Sequence, residues 1–159
     1  MDMKILKSEK RLCTCCMEEH AVKTVLLLEN TIFKNVKVEY EASYLYCDMA
    51  EEFYMDEQQM KENDIRLKDA YRRNEGFLTS SEICGIRTKY GISQSDLCIL
   101  LGWGGKTITR YEGYQVQDKA HDTILKKIDE VSIGEKGLFF PKAFTKVCRI
   151  FLPNMISNI

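Results

Sequence analysis

The segment from Ser93 to Tyr114, SQSDLCILLGWGGKTITRYEGY, constrains the fold most, because its pattern predicts two short helices separated by a glycine-containing turn. Ser93 and Asp96 have the spacing of a capping box, in which side chains satisfy the free backbone N–H groups at a helix start. The buried face of this first helix is predicted to carry three leucines at i, i+3, i+4 spacing: Leu97, Leu100 and Leu101. Three glycines are predicted to end the helix, because glycine takes positive φ without steric cost: Gly102, Gly104 and Gly105.

The second helix is predicted to begin near Lys106 and to bury Ile108 and Tyr111. At 100° per residue, Lys106, Thr109 and Arg110 then face the opposite side. Cationic and hydroxyl side chains on a short helix suit the major groove of DNA, where they contact base edges and phosphates. The segment therefore predicts a helix-turn-helix, with Thr107 added to its predicted DNA-binding residues.

An ordinary helical hairpin with a solvated charged face is the alternative, since short helix pairs are common. The flanking sequence favours DNA binding, because it predicts a further helix on each side. Their predicted inward residues are Ile83, Ile86 and Tyr90 before the segment, and Ala120, Ile124 and Ile128 after it. A compact bundle of short helices around the glycine turn is the arrangement of helix-turn-helix repressor domains.

The N-terminal motif CTCCMEEH predicts a metal site. Two cysteines in C-x2-C spacing can meet one tetrahedral Zn²⁺, and a later cysteine and a histidine complete a closed, structural Cys3His set. The predicted ligands are Cys13, Cys16, His20 and Cys47. A zinc ribbon would have a cysteine at position 50, where this chain has Ala50. The fourth ligand is therefore His20, Cys15, Asp48 or water; buried thiols without metal are the alternative.

Between these cysteines the runs VKTVLLLEN and TIFKNVKVEYEASYLYC predict two or three antiparallel strands, with turns or irregularities at Asn30 and Asn35. Residues 55–74 predict a helix with a broken apolar stripe, which is taken as a connection with a hinge at 62–64. Near its end, Lys68, Arg72 and Arg73 could touch phosphates, with a solvated surface as the alternative.

The predicted fold class is α+β, with a small zinc-knuckle β domain (1–55), a connecting helix (56–75), an all-α helix-turn-helix bundle (76–130) and an apolar tail (131–159). No apolar run could cross a bilayer and the start has no signal-peptide core, so we expect a cytoplasmic protein. Its seven cysteines then favour metal ligation and buried thiols over disulfides. The net charge is only −1, but nine acidic residues against one lysine give residues 39–64 a net charge of −8.

In the order of these elements the chain resembles the MqsA/YgiT-type antitoxins. The similarity lies in the Cys13-x-x-Cys16 knuckle, the YLYC run ending at Cys47, and the runs LTSSEICGIRTKYGISQSDLCILLG and GGKTITRYEGYQVQD. The resemblance implies an N-terminal zinc domain that neutralises a toxin and a C-terminal helix-turn-helix domain of Cro/C1-like type that dimerises and represses its own operon. It also implies that Lys106 and Arg110 read bases, while Gln94 binds phosphate at the start of the preceding helix.

The predicted function is therefore that of a sequence-specific repressor and antitoxin, binding a palindromic double-stranded operator as a homodimer and a cognate toxin protein. A protein-interaction module without DNA readout is the alternative, which the near-neutral charge favours. An enzyme is not predicted, because the two histidines are far apart in the sequence and no paired catalytic constellation is present.

Overall fold

A computed structural model describes residues 3–130 as a mixed α+β fold with one four-stranded antiparallel sheet and five helices. These residues divide into two compact units. The sheet unit contains residues 3–79 and 113–116, and the helical unit contains residues 80–112 and 117–130. The coarse fold class is thus confirmed, whereas the predicted apolar tail (131–159) lies outside the described residues.

The sheet has the strand order β1-β2-β3-β4, so each strand pairs with its neighbours in sequence. The strands are β1 (Lys4–Leu12), β2 (Glu19–Phe33), β3 (Val36–Cys47) and β4 (Glu52–Tyr54). Only β2 and β3 correspond to the strands predicted from the hydrophobic pattern. The hydrophobic pattern does not predict the edge strands β1 and β4, because β1 is charged and exposed throughout and β4 is only three residues long.

The hairpin between β2 and β3 turns at Lys34 and Asn35, whose φ angles are 49° and 65°. A two-residue loop with positive φ at both positions matches the right-handed twist of the flanking strands, and asparagine tolerates this conformation well. The turn predicted at Asn35 is therefore confirmed. The irregularity predicted at Asn30 is wrong, because this residue pairs with Glu39 inside the continuous ladder. Pairing across the sheet overrides the weak preference of asparagine for turns.

The first helix, α1 (Glu57–Asn74), starts at a capping box formed by Asp56 and Gln59. It continues through the predicted hinge at 62–64 without interruption. The reason is Asn63, which is buried and whose amide accepts a hydrogen bond from the backbone N–H of Ser43 and donates one to its carbonyl, both at 2.8 Å. The polar residue that breaks the apolar stripe therefore fixes the helix to the sheet.

Further contacts of this kind run along the outer edge of β3. Arg66 donates to the carbonyl of Glu41 at 3.3 Å, and Asn74 donates to the carbonyl of Lys37 at 2.9 Å. Alternate residues of a strand direct their backbone groups to the same edge, so Ser43, Glu41 and Lys37 direct theirs away from β2. Strand β4 pairs with this edge of β3 only at residues 45–47, and α1 contacts the rest. Residues 56–75, predicted as a connection, thus form a helix that packs within the sheet unit and satisfies a sheet edge.

Arg72 differs from its predicted role. Its side chain is fully buried, donating to the carboxylate of Asp69 at 2.7 Å and to the carbonyl of Gln115 at 2.8 Å. The suggestion that Arg72 touches phosphate is therefore wrong, because a buried guanidinium held by two acceptors is not available to DNA.

The helical unit consists of α2 (Ser80–Lys89), α3 (Gln94–Leu100), α4 (Thr107–Glu112) and α5 (Lys119–Asp129). Its core contains large aliphatic side chains from all four helices, each at most 2% exposed: Ile83, Ile86, Leu97, Ile108, Leu125 and Ile128. In α5 the predicted inward Ala120 is exposed and Asp122 is buried instead. Burial of this carboxylate is compensated, because Gln117 donates to it at 3.0 Å and Lys126 pairs with it at 2.7 Å.

The capping box predicted for α3 is confirmed, since the Asp96 N–H donates to the Ser93 hydroxyl at 3.1 Å and the reciprocal contact is present. Of the three glycines predicted to end the helix, only Gly102 has a positive φ, of 66°. The Trp103 N–H donates back to the carbonyl of Cys98 at 2.8 Å, which closes the C-terminal turn.

Candidate metal centre and candidate nucleic-acid interface

The structure brings the four predicted metal ligands together. The ligand atoms of Cys13, Cys16, His20 and Cys47 all lie within 4.8 Å of one another. A tetrahedral zinc ion with Zn–S bonds of about 2.3 Å places its sulfur ligands roughly 3.8 Å apart, so the cluster needs only small adjustments to close around an ion. The Cys3His set could therefore hold a metal ion.

Three elements of the sheet unit supply these ligands. Cys13 and Cys16 lie in the turn between β1 and β2, where Met17 with φ of 61° donates its N–H to the Cys13 carbonyl at 2.9 Å. His20 is the second residue of β2, and Cys47 is the last residue of β3. Because β2 pairs with both β1 and β3, the sheet register itself brings the knuckle beside the end of β3.

Hydrogen bonding fixes the tautomer of His20. Its Nδ1 lies 3.0 Å from the carbonyl oxygen of Ala21, which can only accept, so Nδ1 carries the proton. Nε2 is then left with its lone pair 3.5 Å from the sulfur of Cys47. A backbone carbonyl that orients the distal nitrogen is the usual support of a metal-binding histidine. The Cys13 thiolate beside the ring raises the pKa of His20, an interaction that a bound cation would replace.

Backbone N–H groups donate to the sulfur atoms of Cys13 and Cys47. Burial by itself would raise the pKa of Cys13, but the Tyr54 hydroxyl and the backbone N–H groups of Cys16 and Cys15 outweigh it and lower that pKa to about 5. The Tyr54 hydroxyl is buried, and no described residue accepts or donates a hydrogen bond to it with full bonding geometry. The N–H of Ala50 donates to the Cys47 sulfur at 3.3 Å. A zinc ribbon would have a cysteine ligand at position 50, whereas Ala50 contacts the cluster only through its backbone N–H.

The alternative ligands are directed elsewhere. The Cys15 thiol donates to the Glu52 carboxylate at 3.1 Å, and this bond together with burial raises the pKa of Cys15 to about 11. The Cys15 sulfur is thus directed at a carboxylate and lies outside the Cys3His cluster. Asp48 forms an ion pair with Lys23 at 2.6 Å. Among the four candidates for the last ligand position, the geometry therefore favours His20.

The surroundings of the cluster are apolar. Cys13 and Cys47 share a buried cluster with Val22 and Leu45, against which Tyr54 packs. Four protein ligands would fill the coordination sphere of a tetrahedral ion and leave no open position for substrate, which is the arrangement of structural zinc sites. An ion held here would join the knuckle to the end of β3 and so stabilise the sheet.

The predicted DNA-contacting residues lie in the helical unit. Ile108 and Tyr111 are buried, as the spacing predicts, at 0% and 4% exposure. Lys106 and Thr109 are exposed and Arg110 is half-buried, with its Nε donating to the Lys106 carbonyl at 3.3 Å. Thr107 is different, because it is buried at 8% exposure at the start of α4. Its side chain therefore does not share the exposed outer face that carries Lys106 and Thr109.

A chain of polar side chains links Gln94 to this outer face. The Thr109 hydroxyl donates to the Gln94 amide oxygen at 2.8 Å, and the Gln94 amide nitrogen donates to Glu112 at 2.6 Å. Glu112 in turn accepts two hydrogen bonds from Arg87 on α2, at 2.8 and 3.2 Å. Glu112 and Arg87 were not predicted from the sequence, because residues 25 positions apart carry no local periodic signal for their pairing.

The turn between α3 and α4 is also fixed by aromatic contacts. The Trp103 ring stacks on His121 with a centroid separation of 3.9 Å, and the Tyr111 hydroxyl lies 2.6 Å from Nδ1 of the same histidine. Since Trp103 is three residues before Lys106, these contacts hold the backbone that leads into the outer face of α4. The sequence pattern gives no indication of this role of His121.

Within the described residues no helix has the length and apolar character needed to cross a membrane. The chain matches no protein-family model and no curated protein sequence. The resemblance to the antitoxin family therefore stays a prediction from motifs.

Proposed function

We propose that the protein is a sequence-specific DNA-binding repressor of the antitoxin type. In this proposal the helical unit contacts operator DNA through Lys106, Thr109 and Arg110, while the sheet unit, stabilised by a structural zinc ion, binds a partner protein such as a cognate toxin. The observation that supports it best is the hydrogen bond between Thr109 and Gln94, at 2.8 Å.

This bond joins the first residue of α3 to the outer face of α4, and the ion pair of Glu112 and Arg87 anchors both. Polar side chains held in advance lose less conformational entropy on contact with DNA than freely rotating ones. Gln94 uses its amide oxygen and nitrogen within this chain, so its role is to position Thr109 beside the duplex. In this proposal Arg110 contacts the bases and Lys106 contacts the DNA phosphates.

A homodimer would place two copies of α4 about one duplex turn apart, roughly 34 Å, and so match a palindromic operator. The zinc ion would supply no reaction chemistry, since its four ligands leave no open position. Its contribution would be to hold the Cys13 knuckle, His20 and Cys47 in one place.

The test is the affinity of Arg110→Ala for the DNA upstream of its own coding sequence. Loss of a bidentate base contact should weaken specific binding by about 1–3 kcal/mol and relax sequence preference at one position of the operator. Arg11→Ala is the matched control, because Arg11 is an exposed arginine on β1 in the sheet unit and has no predicted contact with DNA. Equal affinities of wild type, Arg110→Ala and Arg11→Ala in a gel-shift titration would reject the assignment of Arg110.

Lys106→Ala separates phosphate contact from base contact. If Lys106 binds phosphate, its removal should weaken binding to all sequences alike and make the plot of log affinity against log salt concentration shallower by about one contact.

A protein-interaction module without DNA readout is the second candidate. The net charge of −1 favours it, as does the internal hydrogen bond that occupies the Arg110 Nε. The salt dependence of binding to duplex DNA distinguishes the two candidates. The affinity of a repressor should fall steeply as the salt concentration rises, whereas the module should not bind the duplex at any salt concentration.

A further inference from the structure

The two edges of the sheet are treated differently. Side chains of α1 occupy the outer backbone groups of β3 at Ser43, Glu41 and Lys37. At the opposite edge, all nine residues of β1 are exposed, and within residues 3–130 no further strand pairs with its outer side. A long exposed edge strand is a template for an added strand, and proteins usually block such edges.

The register shows which backbone groups of β1 are available. The Cys13 N–H donates to the Glu18 carbonyl at 2.9 Å, so Cys13 directs its N–H towards the β2 side and belongs to a hydrogen-bonded pair. In an antiparallel ladder such pairs alternate with pairs whose backbone groups point away. Counting back along the paired residues of β1 and β2, the outward N–H and C=O groups belong to Ser8, Lys10 and Leu12. These residues form a regular row of donors and acceptors, as strand addition requires.

Charge indicates the partner. The β1 sequence, KILKSEKRL, has four basic residues and one glutamate, a net charge of +3 in a chain whose total is −1. Its exposed apolar side chains include Leu6 and Leu12, at 50% and 54% exposure. We infer that β1 binds an extended acidic segment of a partner protein, which joins the sheet as a fifth strand. This inference rests on the partner-binding half of the proposed function and does not depend on DNA binding.

A second copy of this chain fits the edge less well. Two paired β1 strands would bring together a net charge of +6 along one edge, and like charges across a strand pair are destabilising. An acidic segment removes this repulsion and adds electrostatic attraction that weakens as salt rises.

The test uses the full, zinc-loaded chain and a peptide of alternating glutamate and valine, with an alternating lysine and valine peptide as the control. Amide hydrogen exchange should slow at Ser8, Lys10 and Leu12 with the acidic peptide only. Ser8→Pro removes one outward N–H without removing a ladder bond to β2, so it should weaken peptide binding about tenfold. Ser8→Ala is the matched control and should bind as wild type does.

Lys10→Glu gives a second measurement if the proline variant does not fold, and it should reduce the preference for the acidic peptide, because the net charge of β1 falls from +3 to +1. Protection that appears elsewhere in the chain, equal binding of both peptides, or an unchanged Ser8→Pro would overturn the inference. Slow amide exchange in β1 without any peptide would also overturn it. If this protection increases with protein concentration, a second copy of the chain covers β1; if it does not, another part of the same chain covers it. DNA affinity measured on the same variants should not change, so failure of the repressor assignment and failure of this inference are separate results.

Discussion

The two units of this protein are stabilised by different interactions. The helical unit fully buries six isoleucine and leucine side chains, whereas the largest fully buried side chains of the sheet unit are Arg72, Val22, Val25, Cys13 and Cys47. Burial of a large aliphatic side chain stabilises a fold by about 1.5–3 kcal/mol, so four helices with such a core need no further support. We expect a small sheet whose core contains two cysteines and a buried arginine to depend instead on specific polar contacts and on the proposed metal ion.

The largest effect that this comparison predicts is that of metal removal. Chelation of zinc, or Cys47→Ser, should unfold the sheet unit and leave the helical unit folded, because metal binding contributes about 10–16 kcal/mol in small zinc-dependent domains. Hydrogen exchange resolved by segment would show fast exchange in β1–β4 and unchanged protection in α2 and α5. Zinc content by mass spectrometry should fall from one ion per chain to none.

Cys84→Ser is the matched control, because Cys84 is a half-buried cysteine of the helical unit, outside the metal cluster. It should keep the zinc ion and the protection of the sheet. Zinc retained by Cys47→Ser, or a sheet that stays folded in the presence of a strong chelator, would contradict the dependence on metal.

The second prediction concerns the aliphatic core of the helical unit. Ile108→Ala removes a side chain with 0% exposure from the core and should lower the free energy of unfolding of this unit by about 2–5 kcal/mol. Zinc content should not change. Ile99→Ala is the control, because Ile99 on the neighbouring helix is 70% exposed and its truncation should change stability by less than about 0.5 kcal/mol. Equal losses in denaturant titrations of the two variants would show that Ile108 is not a core residue.

The difference between the units also explains what the sequence could predict. Periodicity located the helical core at Ile83, Ile86, Leu97 and Ile108, because a helix that buries aliphatic residues repeats them every three to four positions. The C-x2-C spacing and the returning Cys47 predicted the metal cluster, because tetrahedral coordination restricts which residue types can meet. Both are cases in which the physical requirement leaves a mark in the local sequence.

Contacts between distant polar groups leave no such mark. Asn63 looked like a break in an amphipathic helix, yet its partner is a backbone group of β3, 20 residues earlier in the chain. The strand β1 was missed because an exposed, charged edge strand lacks the apolar alternation by which strands are recognised. The pairing of Glu112 with Arg87 and Gln94 depends on the packing of three helices, which the sequence pattern does not specify.

The smallest predicted effect concerns the polar contacts that replace an aliphatic core in the sheet unit. Asn63→Leu leaves the backbone N–H and C=O of Ser43 buried without their partners, which should lower the free energy of unfolding of the sheet unit by about 1–3 kcal/mol. Leucine suits a helix and is apolar, so a helix held to the sheet by hydrophobic burial alone would gain stability from this change. Asn74→Leu is the control, because Asn74 is exposed and its loss removes a single bond to the Lys37 carbonyl, which water can replace. Denaturant titration of the zinc-loaded variants, with hydrogen exchange at the Ser43 amide, decides between the two explanations. A stabilised Asn63→Leu would show that α1 is held by apolar packing and that the polar contacts along β3 are incidental.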